Sequence, residues 1–168
     1  MQVTDAIKSR RSIRKYESKQ IPEEHIRLIL EAAMLSPSAG NTRPWEFFVI
    51  ENRQILKTIN EFHPYTRMLL QAPAAIVVCA RPELQYNKED GCWPMDCGAA
   101  AMSILLQALD LGYGTCWCGV YPYEDLVMQM QAVLSTKAIP VAIIALGVPA
   151  EKPAQKGFYD ETRVSYLK

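Results

Sequence analysis

Apolar positions along this chain fall into two rhythms. Nearly continuous apolar runs at 45–51 (WEFFVIE), 74–80 (AAIVVCA) and 139–148 (IPVAIIALGV) read as strands. The last two have no polar face, so they belong at the centre of a sheet covered on both sides. A shorter strand-like piece, Thr115 to Val120, lies between them in sequence. The remaining apolar residues recur at helical spacing. A short helix is predicted over Val3 to Arg10, with Thr4 as its cap and Ala6 and Ile7 turned inward. A second starts at Pro22, carries Glu23 and Glu24 in its first turn, and runs to about Leu35. Its stripe is Ile26, Ile29, Leu30, Ala33 and Met34. Asn52 caps a third from about Arg53 to Phe62, Thr66 to Ala72 forms a short fourth, and Pro122 to Leu134 forms the last, with Leu126, Val127, Met130 and Leu134 inward.

The stretch from Met95 to Val120 differs from all of these. From Cys97 to Leu111 it is apolar almost all round, interrupted by Ser103, Gln107 and Asp110. A helix without a wide polar face is a buried one. Roughly 22 Å of helix at 1.5 Å per residue is short of a bilayer core, and Asp96 and Asp110 flank it, so no membrane span is read here. Gly98, Ala99, Ala100, Ala101 and Ala108 would let another backbone approach closely. The helix is therefore either the centre of a globular core or the seam of a dimer. It ends at Gly112 and Gly114, where glycine is the expected helix stop.

The chain of 168 residues fits a single domain spanning 1–168 with a substantial core. Its formal net charge of zero gives no reason to expect nucleic acid as a partner. The N-terminal stretch has no apolar run, which predicts a cytoplasmic protein. Five cysteines are present, at 79, 92, 97, 116 and 118. Four residues separate Cys92 from Cys97 and one separates Cys116 from Cys118. Structural zinc pairs usually have about two to four residues between them, two being commonest; here the gaps are four and one, and no histidine lies near either, so a metal or iron–sulfur centre is held only as a minor reading. The last twenty residues turn polar and extended, with Phe158, Tyr159, Val164, Tyr166 and Leu167 as apolar anchors. Such a tail, over 150–168, must dock on its own domain or on a partner subunit.

Two segments carry candidate chemistry. Residues 9–16 (SRRSIRKY) place anion-donating side chains at every position but Ile13. Arginine forks and a serine hydroxyl suit phosphate oxygens, although a solvated basic turn has the same composition. Residues 36–44 (SPSAGNTRP) form a donor-rich break, either a ligand cradle or a plain connector, and the polar stretch 82–94 is a loop long enough to cover a site. No G-x-G-x-x-G, phosphate-loop, H-E-x-x-H or G-x-S-x-G pattern occurs, and His25 and His63 are the only histidines. Anion donors without acid–base equipment suit a protein whose chemistry sits on a bound, phosphate-bearing cofactor.

Three blocks then stand out together: 10–16 (RRSIRKY), 36–47 (SPSAGNTRPWEF) and 111–119 (LGYGTCWCG). In order and interval they resemble the signature blocks of the short members of the nitroreductase family. The apolar helix before the third block and the Leu146-Gly147-Val148-Pro149 strand end fit the same pattern. The resemblance implies an α+β fold, with a central mixed or antiparallel sheet flanked by helices, in an intertwined homodimer. It implies FMN as cofactor and NADH or NADPH as transient donor. Hydride would pass through the flavin N5 to a small-molecule acceptor, nitroaromatic, quinone or similar, in a ping-pong cycle. Arg10, Arg11, Ser12 and Arg14 would hold the FMN phosphate and ribityl chain, with Arg163 as a second phosphate contact. Arg67 would lie at the pyrimidine edge of the ring. Pro37, Ser38, Ala39 and Asn41 would come from the other subunit, and Cys116, Cys118 and Gly119 would run along the opposite side. Two departures are visible: Arg43 where many members carry glutamine, and Cys118 where many have an apolar or acidic residue. Trp93, Tyr121 and Tyr123 could wall the pocket or fill the core. A flavin carrier or sensor with little turnover is the alternative function.

Overall fold

The computed structural model describes every residue except Lys88, Asp90, Gln155 and Lys156. The loop expected over 82–94 and the tail expected over 150–168 each include two of these positions, and there the expectation lies outside the described residues. The elements in chain order are α1 (Val3–Ser9), α2 (Glu23–Met34), β1 (Trp45–Ile50), α3 (Arg53–Phe62), β2 (Ala74–Ala80), α4 (Trp93–Asp110), β3 (Gly114–Gly119), α5 (Glu124–Leu134) and β4 (Ile139–Gly147). The strands form one sheet in the order β1-β2-β4-β3, every pair antiparallel. The fold is thus α+β, with no parallel pair among the named strands.

The two continuous apolar strands, β2 and β4, are the sheet centre. Their side chains divide by period two. Ile76, Val78, Ile144 and Leu146 face a layer containing Ile29, Ala33, Ala100 and Ile104 of α2 and α4. Ala75, Val77, Ile143 and Ala145 face Leu56, Ile59, Leu69 and Met130 on the other side. Helices on both faces leave no solvated side at the centre, which is why neither strand alternates with polar residues.

Local signals decide several boundaries. Asn52 accepts from the N–H groups of Gln54 and Ile55 through its side chain, so α3 starts where its cap predicts. Helix α4 ends in paired C-terminal bonds, Tyr113 N–H to the Ala108 carbonyl and Gly112 N–H to the Leu109 carbonyl, with Gly112 at φ +84°. Other expectations change. Helix α4 begins at Trp93, two residues before Met95, with Pro94 in its first turn. Helix α5 starts at Glu124, and the stretch after Thr66 is only a 3-10 turn, Arg67–Leu70. Gln2, not Thr4, is the N-cap residue of α1, without a side-chain hydrogen bond. Ile7 and Met34 are exposed, because their helical stripes run past the part of the core they meet. His25 is structural: its Nδ1 lies 2.7 Å from the Tyr113 hydroxyl, joining the start of α2 to the end of α4.

The N-terminal segment after α1 lies along β3. Ser12 forms a parallel bridge with Thr115, and the Ile13 N–H donates to the Thr115 carbonyl at 2.8 Å. Tyr16 bridges Pro149, and Glu17 N–H donates to Val148. Ile13 and Tyr16 are buried while Arg14 and Lys15 between them point outward. The apolar residues thereby pin the basic ones at the sheet edge.

Candidate active site

Arg10, Arg11, Ser12 and Arg14 surround a cavity of about 450 Å³ together with Glu151, Pro153 and Ala154. The cavity adjoins a cleft of about 830 Å³, with which it shares Arg14 and Glu151. One wall of that cleft is the end of β3, Cys116 to Gly119; the other is the connection after α3, including Tyr65, Arg67 and Gln71. The structure therefore brings Arg10, Arg11, Ser12 and Arg14 to one cavity and Arg14, Arg67, Cys116, Cys118 and Gly119 to the cleft beside it.

Backbone geometry shapes the β3 wall. The carbonyls of Thr115 and Gly119 are both taken by groups outside the sheet, Ile13 N–H and His63 Nε2. In an extended strand a residue's N–H and C=O point to the same side, and the side alternates. Trp117 and Gly119 thus turn their backbone groups off the free edge of β3. A Cβ on Gly119 would meet nothing within 4 Å, so the approach to it is open.

The basic segment is itself held in place. Glu151 Oε1 accepts from the backbone N–H groups of Arg14 and Lys15, and Arg11 donates through Nε to the Ala154 carbonyl at 3.3 Å. Arg67 stands on the 3-10 turn, whose carbonyls are gathered by one guanidinium: Arg53 donates to Leu69, Leu70 and Ala72.

Cys116 and Cys118 occupy one face of β3 and are 2% and 5% exposed, so both thiols belong to the wall rather than to solvent. They interact and titrate as a pair. The contact with Cys118 holds the Cys116 thiol down to about 7 against the opposing effect of burial, and Arg14 and Ser12 add to the lowering. The same contact, with burial, pushes Cys118 up. The Tyr65 carbonyl, 3.3 Å from Cys118 Sγ, is the other acceptor within reach of that single thiol hydrogen. Cys97 packs at Cys79 within the core, and Cys92 lies apart at the start of α4. Among the described residues no three His, Cys, Asp or Glu side chains converge to hold a metal.

Other expected residues lie elsewhere in the single chain. Pro37, Ser38, Ala39 and Asn41 sit on the loop before β1 and line neither cavity. The loop is shaped in advance: Gly40, Asn41 and Arg43 all have positive φ, the Arg43 N–H donates to Ser38 Oγ, and the Ala39 N–H donates to Asp96. Arg163 lies on the exposed tail, paired with Asp160 at 2.9 Å. Trp93 packs edge-on against Tyr121 with centroids 4.7 Å apart, and neither they nor the exposed Tyr123 line the two cavities. Sequence reasoning overlooked Tyr65, Gln71, Asp96 and Glu151. His63 belonged to none of the motifs sought, although it lies four residues before Arg67.

With this geometry in view, the relatives are informative. The model of the nitroreductase family matches residues 7–64 and 63–148. A protein of Methanothermobacter thermautotrophicus named "Putative NADH dehydrogenase/NAD(P)H nitroreductase" is 47% identical over 166 residues, 98% of this chain and 86% of its own. A crystal structure of the same name from Parabacteroides distasonis superposes at TM-score 0.92 with 33% identity, covering 98% of this chain and 97% of that one. An "FMN-dependent Nitroreductase" from Clostridium difficile superposes at 0.88 with 30% identity and 99% of both chains covered. The chain belongs to the nitroreductase family.

Proposed function

We propose that the protein is an FMN-dependent oxidoreductase that takes hydride from NADH or NADPH and gives it to nitroaromatics, quinones or similar small acceptors in a ping-pong cycle. The observation that carries this reading is the junction of the Arg10–Arg14 cavity with the cleft walled by Arg67 and β3. A pocket of guanidinium and hydroxyl donors suits a phosphate and its polyol chain. The adjoining cleft offers the β3 strand edge on one side and Arg67 on the other, with Arg14 and Lys15 at the end it shares with the cavity, which suits a planar, electron-accepting ring. The donor set therefore fits FMN. Family membership and the FMN-dependent relative support the same assignment.

Bound FMN would supply the hydride chemistry. The chain's own contribution is binding, orientation and electrostatics. Arg10, Arg11, Ser12 and Arg14 anchor the phosphate end. Arg67 sets positive charge where a reduced ring gathers negative charge. The Gly119 backbone, open to the cleft, addresses the ring edge.

The working form is a homodimer in the cytoplasm. Helix α4 supports this: Met95 is exposed and Gly98, Ala99, Met102 and Leu106 are only half covered, an apolar strip one chain leaves unfinished. Phe158, Tyr159, Tyr166 and Leu167 of the tail are also exposed, as the anchors of a segment docking on a partner would be in one chain alone. In that dimer the loop of Pro37, Ser38, Ala39 and Asn41 reaches the partner's ring and Arg163 its phosphate. Among the described residues no helix is long and apolar enough to cross a membrane.

The test is an anaerobic visible spectrum of the purified protein with FMN, recorded before and after NADH and then NADPH. Flavin bands that bleach with one nucleotide establish the activity and name the donor. Bound flavin that stays oxidised with both favours a carrier, and protein that takes up no FMN refutes the assignment.

A further inference from the structure

His63 closes α3 and is 1% exposed, and a polar ring buried that completely needs partners on both nitrogens. It has them. Nδ1 faces the backbone N–H of Tyr65 at 3.3 Å, and Nε2 faces the carbonyl of Gly119 at 2.9 Å. A backbone N–H can only donate and a carbonyl can only accept. Nδ1 must therefore be the bare nitrogen, and Nε2 carries the hydrogen given to Gly119. The protein assigns the tautomer at both ends.

The two partners belong to opposite walls of the cleft. Tyr65 leads into the turn that carries Arg67, and Gly119 ends β3. The peptide following Gly119 is gripped twice: its carbonyl by His63, and its N–H, on Val120, by the Val141 carbonyl at 2.9 Å. β3 has a glycine at each end; Ile13 packs against Gly114, whereas nothing crowds the open side of Gly119. A glycine backbone facing a ligand needs an external constraint to hold one orientation. His63 supplies it.

We propose that His63 is a positioning residue: by donating to the Gly119 carbonyl it sets the orientation of the Gly119 backbone at the cleft and the spacing between that backbone and the Arg67 turn. This rests on the flavin reading above for its functional meaning, but the clamp itself can be tested without flavin.

The experiment compares His63→Asn with His63→Gln. The asparagine amide reaches the position of Nδ1, so it preserves the Tyr65 contact and loses Gly119. The glutamine amide nitrogen reaches the position of Nε2, so it keeps Gly119. Readouts are hydrogen exchange of the 114–121 segment with and without FMN, the FMN dissociation constant, and the visible spectrum and midpoint potential of the bound flavin. H63N is expected to exchange faster at Gly119 and Val120 and to bind FMN about tenfold more weakly, the equivalent of one lost hydrogen bond, with a displaced potential. H63Q is expected to stay near wild type in each. Should H63N fail to fold, His63→Met fills the volume without a donor and takes its place against H63Q. Unchanged exchange and potential in the donor-free variant, or equal losses in both variants, would overturn the proposal. If wild type binds no FMN, the flavin reading fails, and exchange at Gly119 alone decides the clamp.

Discussion

The Asp96 carboxylate accepts the backbone N–H of Ala39 at 3.0 Å, a bond spanning 57 positions of sequence. Its Oδ2 is buried and has no hydrogen-bond partner among the described residues. The first turn of α4 thereby holds the loop that carries Pro37, Ser38, Ala39 and Asn41. Asp96→Ala would leave a part-buried N–H unpaired and is expected to cost about 1–3 kcal/mol of stability. Asp96→Asn keeps an acceptor for Ala39 and is expected to lose less. Thermal unfolding of both variants checks the order, and a D96A protein as stable as wild type would refute it.

Arg53 and Leu70 make a second long-range tie, Nη2 to carbonyl at 2.6 Å, alongside bonds to Leu69 and Ala72. A planar fork can serve these carbonyls together, whereas an ammonium is a single point of charge. Arg53→Lys is therefore expected to behave much more like Arg53→Ala than like wild type, each losing about 1–3 kcal/mol. Both should also weaken FMN binding through the displaced Arg67 turn. Urea unfolding and flavin titration read the two effects separately.

Gly114 is closed to any side chain. A Cβ there would fall 2.7 Å from Ile13 Cγ1. Gly114→Ala is expected to lift Ile13 off β3 and cost about 1–3 kcal/mol by overpacking. Because Ile13 sits among the arginines, FMN affinity should fall with stability. Gly112→Ala makes a useful comparison: its position has open space but φ +84°, so its cost is backbone strain alone and the basic segment stays seated.

The thiol pair gives a pH signature. Cys116 is pushed down to about 7 by Cys118, with help from Arg14. As pH rises, the pair should lose its first proton near 7, well below an ordinary thiol, and hold its second far longer. Thiolate ultraviolet absorbance of the flavin-free protein, referenced to Cys116→Ser, measures this. Arg14→Gln removes a favourable charge and should move the first step upward. A first step at the ordinary thiol value, unmoved by R14Q, would contradict the pairing.

Much of the fold could be read from local pattern. The apolar runs of β2 and β4, the Asn52 cap and the Gly112 stop each encode structure within a few residues, and each lies where expected. The three family blocks could be recognised because each is contiguous in the chain, and the family they point to is the one that matches. Periodicity misplaced Ile7 and Met34 because it identifies an apolar stripe without saying how far the neighbouring surface extends. Arg53, His63 and Asp96 carried no signal of their own. Their partners lie at Leu70, Gly119 and Ala39, and only the closed fold brings those backbone groups to them.

The segment bridging Ser12 to Thr115 also settles a problem of solubility. An outer strand such as β3 presents unpaired backbone groups to any passing chain, and it is a template for amyloid-like growth unless something caps it. Here the stretch that bears Arg10, Arg11 and Arg14 covers the edge at Thr115 and leaves it free from Trp117 onward, beside the cleft. If the flavin reading proposed above holds, one short piece of chain would serve as cofactor anchor and as guard of that part of the edge. Damage that peels it from the sheet should bring precipitation and loss of binding together.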